Sequence, residues 1–419
     1  MVTVLRSVDD VLAWAGLLVE PPLRTAVGRL PAPSREVAEL QLGAIDEGPA
    51  VARTRAALTL VSAGAVGGDP HDAVASAVAV ELVHQWSVLQ RDLFDGDLTR
   101  RHRPTAWSVV GPHPATLGGE AMLALAFDVA ATGDPTRRVP RPLRQATRAT
   151  PFPVSADADV PATPSPARTG ADRTPAEVPR AERPTGDTDG GPGGAASGDR
   201  ATDPCADAGA RQPAPVDRAG VRVLGDTVQQ LLHGRHTELG TTLDTATTRR
   251  RSGSDLLREC IAAVEQRSGA LLGCACALGA IAGGGDRARV EQLRLFGVRL
   301  GLAVQFTEDL QGIWGDPAVT GRPAFPDLRR RRRSLPVAAA LAAGADELDD
   351  LLRRESRLSD ADLERAAKVI ERAGARTWCV RQAEDLLAQA LLVLDLAIPE
   401  PAAVAELVAL ARWATRHPA

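Results

Sequence analysis

Apolar residues run through this chain in long blocks rather than in strict alternation. ALTLVSAGAV, AVASAVAVELVHQWSVLQRDLF and EAMLALAFDVAA are rich in Ala, Leu and Val, hold no proline, and are too long for ordinary strands. They predict helices across residues 1–134, and helices apolar nearly all round belong inside a bundle. The pattern returns at VRVLGDTVQQLLHGRHTEL and continues through SDLLRECIAAVEQRSGALLGCACALGAIAGG and ARVEQLRLFGVRLGLAVQFTEDLQGIW. A Pro/Gly/Arg loop, GDPAVTGRPAFPDLRRRRRSLP, follows. VAAALAA, DADLERAAKVIERAGARTWCVRQAEDLLAQALLVLDLA and AAVAELVALARWATRH then predict further helix. No convincing alternating strand occurs, so the expected fold is all-α.

Residues 135–217 break this pattern. The stretch holds about half of the 31 prolines, one aromatic (Phe152) and only isolated aliphatics. Such a segment buries too little apolar surface to offset its ordering entropy, which predicts a disordered insertion. The expected organisation is an N-terminal part (1–134), the insertion (135–217) and a C-terminal part (218–419), with the two outer parts sharing one core.

Composition narrows the field. A net charge of −4 gives no reason to expect nucleic acid. The run Arg329 to Arg333 lacks the interleaved aromatics of a nucleic-acid patch and has acids beside it. Five cysteines at unpaired spacings read as reduced thiols of a cytoplasmic protein. No basic region leads the first apolar residues, and no stretch of about 18 uncharged apolar residues predicts a membrane span. Lysine occurs once, at Lys368, so arginine stands in for it nearly everywhere.

Two acidic segments carry the candidate chemistry. In HQWSVLQRDLFDGDLTRRHRPTAW, positions 91 and 95 share a helix face with 92 close by, and Arg100, Arg101 and Arg103 follow. In QFTEDLQGIWGD, Glu308 and Asp309 precede Arg322 and the run of five arginines. Carboxylates at a helix end suit magnesium, a hard ion that takes oxygen ligands and brings a phosphate. Arginine forks suit the phosphate itself. Two such units facing each other across a helical cavity suggest a diphosphate substrate.

These segments, taken in order with ARTRAAL, HGRHTEL, EQRSGALLGCACALGA, GIWGDPAVTGRP and LRRRRRSLP, resemble the trans-isoprenyl diphosphate synthases, or polyprenyl synthetases, and their actinobacterial branch in particular. The resemblance covers nearly the whole chain apart from the insertion. It implies an isoprenoid-synthase-type helical bundle around a central cavity. It also implies Mg2+ bridging the acidic motifs to an allylic diphosphate, and attack by isopentenyl diphosphate on the ionised allylic carbon. Carried over by position, Asp95 and Glu308 would be metal ligands, with Asp92 and Asp309 supporting. Arg100, Arg267 and Arg322 would hold the allylic diphosphate; Arg53, His84 and Arg101 would hold isopentenyl diphosphate. Gln305 would sit beside the reacting carbons. Trp86 and Ser87, five and four residues before the first motif, would floor the tail cavity. A bulky indole there implies short products of roughly ten to twenty carbons.

Several positions depart from the family pattern. Arg91 stands where the family has the first metal-binding Asp, Glu308 replaces an Asp, Gly234-Arg235-His236-Thr237-Glu238 replaces Gly-Gln-x-x-Asp, and Ala52 replaces a lysine. At Arg91 the charge changes by two; a like charge about 4 Å from a cation costs ~4 kcal/mol at an effective dielectric of 20. Arg91 has two ways out: pairing with Asp95, or contacting diphosphate in place of an ion. Two readings therefore stand ahead of a third, an unrelated binding or nucleic-acid role. One is a working prenyltransferase. The other is a diphosphate-binding homologue of weak or no turnover, acting as a partner subunit or as cargo of an encapsulin shell. The cargo version follows the likeness of the insertion, with RPLRQATRATPFPV and its lone Phe152, to the Pro/Ala/Gly-rich segments of actinobacterial polyprenyl transferases of that kind. In this chain the segment is internal rather than terminal. A homodimer is the other assembly the resemblance implies.

Overall fold

The computed structural model of the chain describes residues 6–46, 53–100, 103–136, 218–243, 252–317, 324–354, 356–395 and 400–416. In chain order the helices are α1 (Val8–Val27), α2 (Ala32–Asp46), α3 (Thr54–Ala65), α4 (Val74–Asp95), α5 (Ala106–Val110), α6 (Pro112–Thr132) and α7 (Arg218–Leu243). They continue as α8 (Gly253–Val264), α9 (Ala270–Ala282), α10 (Arg287–Trp314), α11 (Pro326–Arg329), α12 (Leu335–Ala342), α13 (Asp346–Arg353), α14 (Asp360–Arg372), α15 (Ala375–Asp395) and α16 (Pro401–Ala414). The predicted insertion, with Phe152 and Cys205, lies almost wholly outside the described residues.

α9 is the post of the bundle. Every residue from Ala270 to Ala280 is buried, because α3, α4, α7 and α10 surround it. Small side chains permit this crowding: a Cβ on Gly279 would lie 2.0 Å from the carbonyl oxygen of Thr59 on α3. Helices from both outer parts thus close on one another. One apolar cluster joins α1–α7 and α9 with the N-terminal half of α10, the end of α15 and α16, and a second joins α8 and the C-terminal half of α10 with α11–α14 and the start of α15.

The structure corrects several sequence expectations. A two-residue antiparallel pair, Thr99–Arg100 with Arg103–Pro104, turns the chain after α4; it is too short to leave an alternating pattern. The stretch from Asp360 to Asp395 is two helices, broken where Gly374 takes φ 77°. α13 left no apolar block in the sequence because five of its eight residues are charged. Between α8 and α9 the chain stays helical but widens into a π-turn over Glu265–Gly269. α6 is long and apolar enough to cross a membrane by length and composition alone. Its buried face instead packs on α2, α4 and α7.

Candidate functional site

Two cavities meet inside the bundle. The upper one, about 780 Å³, is lined by charged side chains: Arg91 and Asp95 from the end of α4, Asp97 and Arg100 just beyond it, Glu238 from α7, Arg267 from the π-turn, Glu308 and Asp309 from α10, Asp327 from α11, and Arg330, Arg332 and Arg333 from the loop ahead of α12. The lower one, about 220 Å³, runs between apolar groups such as Trp86, Leu231, Leu271, Leu272 and Val304. Arg91, Arg100, Arg267, Gln305 and Glu308 line both, so they stand at the boundary.

Local structure explains these placements. α4 ends at Asp95 because Gly96 takes the left-handed conformation (φ 66°), so the acidic segment turns out of the helix beside the cavity. Arg91 and Asp95, one turn apart, both face the upper cavity. Asp92 lies on the next face, 1% exposed, and accepts from Arg100 Nε at 2.9 Å. The π-turn presents Arg267, in keeping with the use of such turns at functional sites. α10 presses against that turn: a Cβ on Gly301 would lie 2.3 Å from the carbonyl oxygen of Ser268. Ser268 Oγ donates to Gln305 Oε1 at 2.6 Å, and Gln305 Nε2 donates to Asp309 Oδ1 at 2.8 Å. The backbone N–H of Leu335 donates to Asp309 Oδ2 at 2.9 Å. Gln305 is therefore fixed from both ends.

The charges are strongly coupled. Burial alone would raise the pKa of Glu238, but Arg267, Arg332, Arg235 and Arg91 outweigh it and hold the carboxyl at about 2. Burial, then the neighbouring Arg267, Arg100 and Arg235, push Arg91 down to about 9, which leaves it cationic at neutral pH. Asp309 is pushed up to about 7, first by burial and then by the charge of Asp327. Arg235 Nη1 donates to Glu238 Oε2 at 3.3 Å, and Arg267 Nη1 lies 3.2 Å from the same oxygen. Arg332 pairs with Asp95, and Arg330 with Asp97.

The site residues expected from sequence fall into three groups. Asp95, Arg100, Arg267, Gln305, Glu308 and Asp309 line the upper cavity; His84, Trp86, Ser87 and Asp92 line the lower. Arg53 lines neither. It sits against Gly16 of α1 with Nη2 3.7 Å from Glu20. Arg55, two residues on, lines the lower cavity and pairs with buried Glu81. Arg101 and Arg322 lie outside the described residues. Arg235, Glu238 and Arg332 are site residues that the sequence reading did not select. The Glu238 segment was visible as a departure from the family pattern, and Arg332 lay hidden in a run of five arginines.

A divalent cation finds a narrow donor set here. Among the described residues no three His, Cys, Asp or Glu side chains converge as a ready metal site. Asp95 Oδ1, Asp97, Glu238 and both oxygens of Asp309 already have partners. Asp95 Oδ2 is buried without a hydrogen-bond partner, and Glu308 makes no ion pair among the described residues. Magnesium commonly takes one or two carboxylates and completes its shell with water and phosphate oxygens. These two groups fit that role. A second ion between positions 91 and 95 does not fit, because a guanidinium is already there.

Comparison with known proteins agrees with this architecture. The family model for polyprenyl synthetase matches residues 49–150 and 218–371. The chain is 31% identical to a (2E,6E)-farnesyl diphosphate synthase of Mycobacterium tuberculosis, over 97% of this chain and 93% of that one. It is also 31% identical to a geranylgeranyl diphosphate synthase of the same organism, over 87% and 79%. Among solved structures, the polyprenyl synthetase of Streptomyces coelicolor A3(2) superposes with a TM-score of 0.70 at 30% identity, covering 97% of this chain and 99% of that one.

Proposed function

The chain belongs to the polyprenyl synthetase family, and on that premise we propose that it is a prenyltransferase joining isopentenyl diphosphate to an allylic diphosphate, giving a short-chain isoprenyl diphosphate. One observation carries the reading: a cavity lined by arginines and carboxylates opens, past Arg91, Arg100, Arg267, Gln305 and Glu308, into a smaller apolar one. A charged head with an apolar tail is the ligand that satisfies both halves.

In this reading Arg100 and Arg267 grip the allylic diphosphate, a role the family pattern extends to Arg322, and the lower cavity takes the tail and excludes water. Magnesium, held by Asp95 and Glu308 with Asp92 and Asp309 behind them, would supply further neutralisation of the leaving diphosphate. As the allylic C–O bond breaks, its electron pair leaves with diphosphate, and the guanidinium groups stabilise that charge in a site of low dielectric. The double bond of isopentenyl diphosphate, held by His84 and Arg101, forms the new C–C bond. A proton then passes to the departed diphosphate. Gln305, pinned by Ser268 and Asp309, positions the allylic carbon. Arg53, turned toward Glu20 and lining neither cavity, has no part in this reading.

The test is a magnesium-dependent assay with labelled isopentenyl diphosphate and allylic diphosphates of five, ten and fifteen carbons, with Arg91→Asp run alongside. Elongated product from the parent chain is expected. Silence from the parent with turnover by Arg91→Asp would instead establish the second reading, a diphosphate-binding partner of weak turnover, which the guanidinium at position 91 favours.

Two assembly proposals accompany this function. The first is a homodimer or a pairing with a second synthase subunit; exposed apolar side chains such as Phe94, Leu98 and Leu117 support it, and light scattering tests it. The second is a cytoplasmic location inside an encapsulin shell, reached through residues 135–217. Its support is the composition of that segment, and co-purification with a shell protein, lost on deleting the segment, tests it.

A further inference from the structure

We propose that Arg91, Arg235 and Arg267 form a subsite that takes a diphosphate group directly, with no metal ion between. The inference rests on the site reading above and adds how the head group is held.

The first support is unmet hydrogen bonding. Nε of Arg91 and Nε of Arg267 are both buried without a partner, and Ser334 Oγ in the same cavity shares that condition. Buried polar side-chain atoms nearly always have a partner, so a concentration of exceptions in one cavity points to a ligand. The guanidinium groups of Arg91 and Arg267 stand where the charged cavity meets the apolar one, as a prenyl diphosphate head must.

The second support is charge. Three guanidinium groups, Arg91, Arg235 and Arg267, converge on Glu238, with Asp95 acting on Arg235 as well. With Arg332 also 3.9 Å from Glu238, guanidinium groups crowd this carboxylate where side chains are only 13% (Arg235) and 15% (Arg267) exposed. A partly buried cationic excess is unfavourable until an anion joins it. Arginine forks offer paired N–H groups to the oxygens of a phosphate, and a diphosphate supplies the matching charge and oxygen count. The carboxylate lost at position 91 is thereby exchanged for a direct contact with substrate.

The experiment is calorimetric titration of the full chain with inorganic pyrophosphate, once in EDTA and once in magnesium, with sulfate as a control anion. Binding in EDTA is expected within about tenfold of the affinity in magnesium. Arg91→Gln and Arg267→Gln should each weaken the EDTA binding by about tenfold or more. Arg91→Asp should abolish it and make binding depend on magnesium. Thermal melts accompany each variant, and Arg91→Lys, which keeps the charge but loses the fork, should retain partial binding if Arg91→Gln fails to fold. Pyrophosphate binding that requires magnesium in the parent chain, equals that of sulfate, or is indifferent to Arg91→Gln overturns the proposal. If a thiolo analogue of an allylic diphosphate still binds with magnesium in those cases, the prenyltransferase reading survives. If the analogue binds under neither condition, that reading falls as well.

Discussion

Arg332 reaches back from the loop ahead of α12 and pairs with Asp95 at the last turn of α4, so a cation stands on the carboxylate expected to hold magnesium. The same guanidinium lies 3.9 Å from Glu238 and 3.7 Å from Asp327, and these acids together hold its proton more tightly than usual against the cost of burial. Arg332→Gln should release Asp95 while leaving three acids less neutralised. A loss of about 1–3 kcal/mol is expected, since the pair is only partly buried. Magnesium should then raise the melting temperature of the variant more than that of the parent. Equal magnesium responses would count against the pairing as a control on Asp95.

Gly301 is where α10 touches the π-turn bearing Arg267. Gly301→Ala should cost about 1–3 kcal/mol from overpacking and lower kcat/KM by displacing Arg267. Gly312, further along the same helix, has only a Pro326 side-chain atom at 3.9 Å from an added Cβ. Gly312→Ala should be neutral or stabilising by up to about 1 kcal/mol. Denaturant melts of the two variants separate crowding from helix propensity.

Trp86 is 5% exposed and borders the lower cavity. Trp86→Leu should deepen that cavity and lengthen the product by at least one five-carbon unit, read by chromatography of the dephosphorylated alcohols. An unchanged product distribution would show that the floor lies elsewhere. Full truncation to Ala is a poorer test, because removing a buried indole costs about 3–5 kcal/mol.

Glu238 gives a pH signature. Its carboxyl titrates at about 2 in the folded chain against an ordinary 4.5, so its contribution is present above pH 4.5 and lost as pH falls toward 2. The shift corresponds to about 3 kcal/mol. Glu238→Gln should be destabilised at pH 7, and its stability should fall less steeply than the parent's between pH 5 and pH 3 in urea titrations. Parallel curves for the two proteins would contradict this.

The thiols give the opposite sign. Burial pushes Cys260, Cys274, Cys276 and Cys379 up to about 12 from an ordinary 9.0. Their stabilisation is complete below pH 9 and is lost as pH rises toward 12. None of the four should react with a thiol reagent at pH 8 until the chain is unfolded, when all five cysteines of the sequence become countable. Rapid labelling of any of the four in the native protein would contradict their burial.

Most of the helices and the two acidic segments could be read from the chain, because spacing along a helix is a local property. Asp92, Asp95, Glu308 and Asp309 needed only their positions in long apolar blocks. Arg332 needed more. Its inward turn depends on Arg331 taking φ 54° and on its own N–H bonding to the carbonyl of Asp327, and no residue type announces either. The outward turn of Arg53 likewise depends on α1 offering Gly16 and Glu20 at a distance in sequence. The π-turn under Arg267 keeps an ordinary helical sequence, so its extra residue per turn is set by the press of α10. Local pattern fixed which residues were candidates; tertiary packing decided which way their side chains faced.

The post-like position of α9 sets a timetable for synthesis. α3 and α4 leave the ribosome with apolar faces that α9 later covers, α3 waiting for α16 as well, and the whole of 137–217 must be made in between. At roughly 5–20 residues per second the wait is on the order of ten seconds or more. During it the nascent chain exposes Leu, Val and Ala surface that invites aggregation, and contacts between distant segments close slowly. Yield in a foreign host should therefore depend on chaperone supply far more than the stability of the finished bundle would suggest.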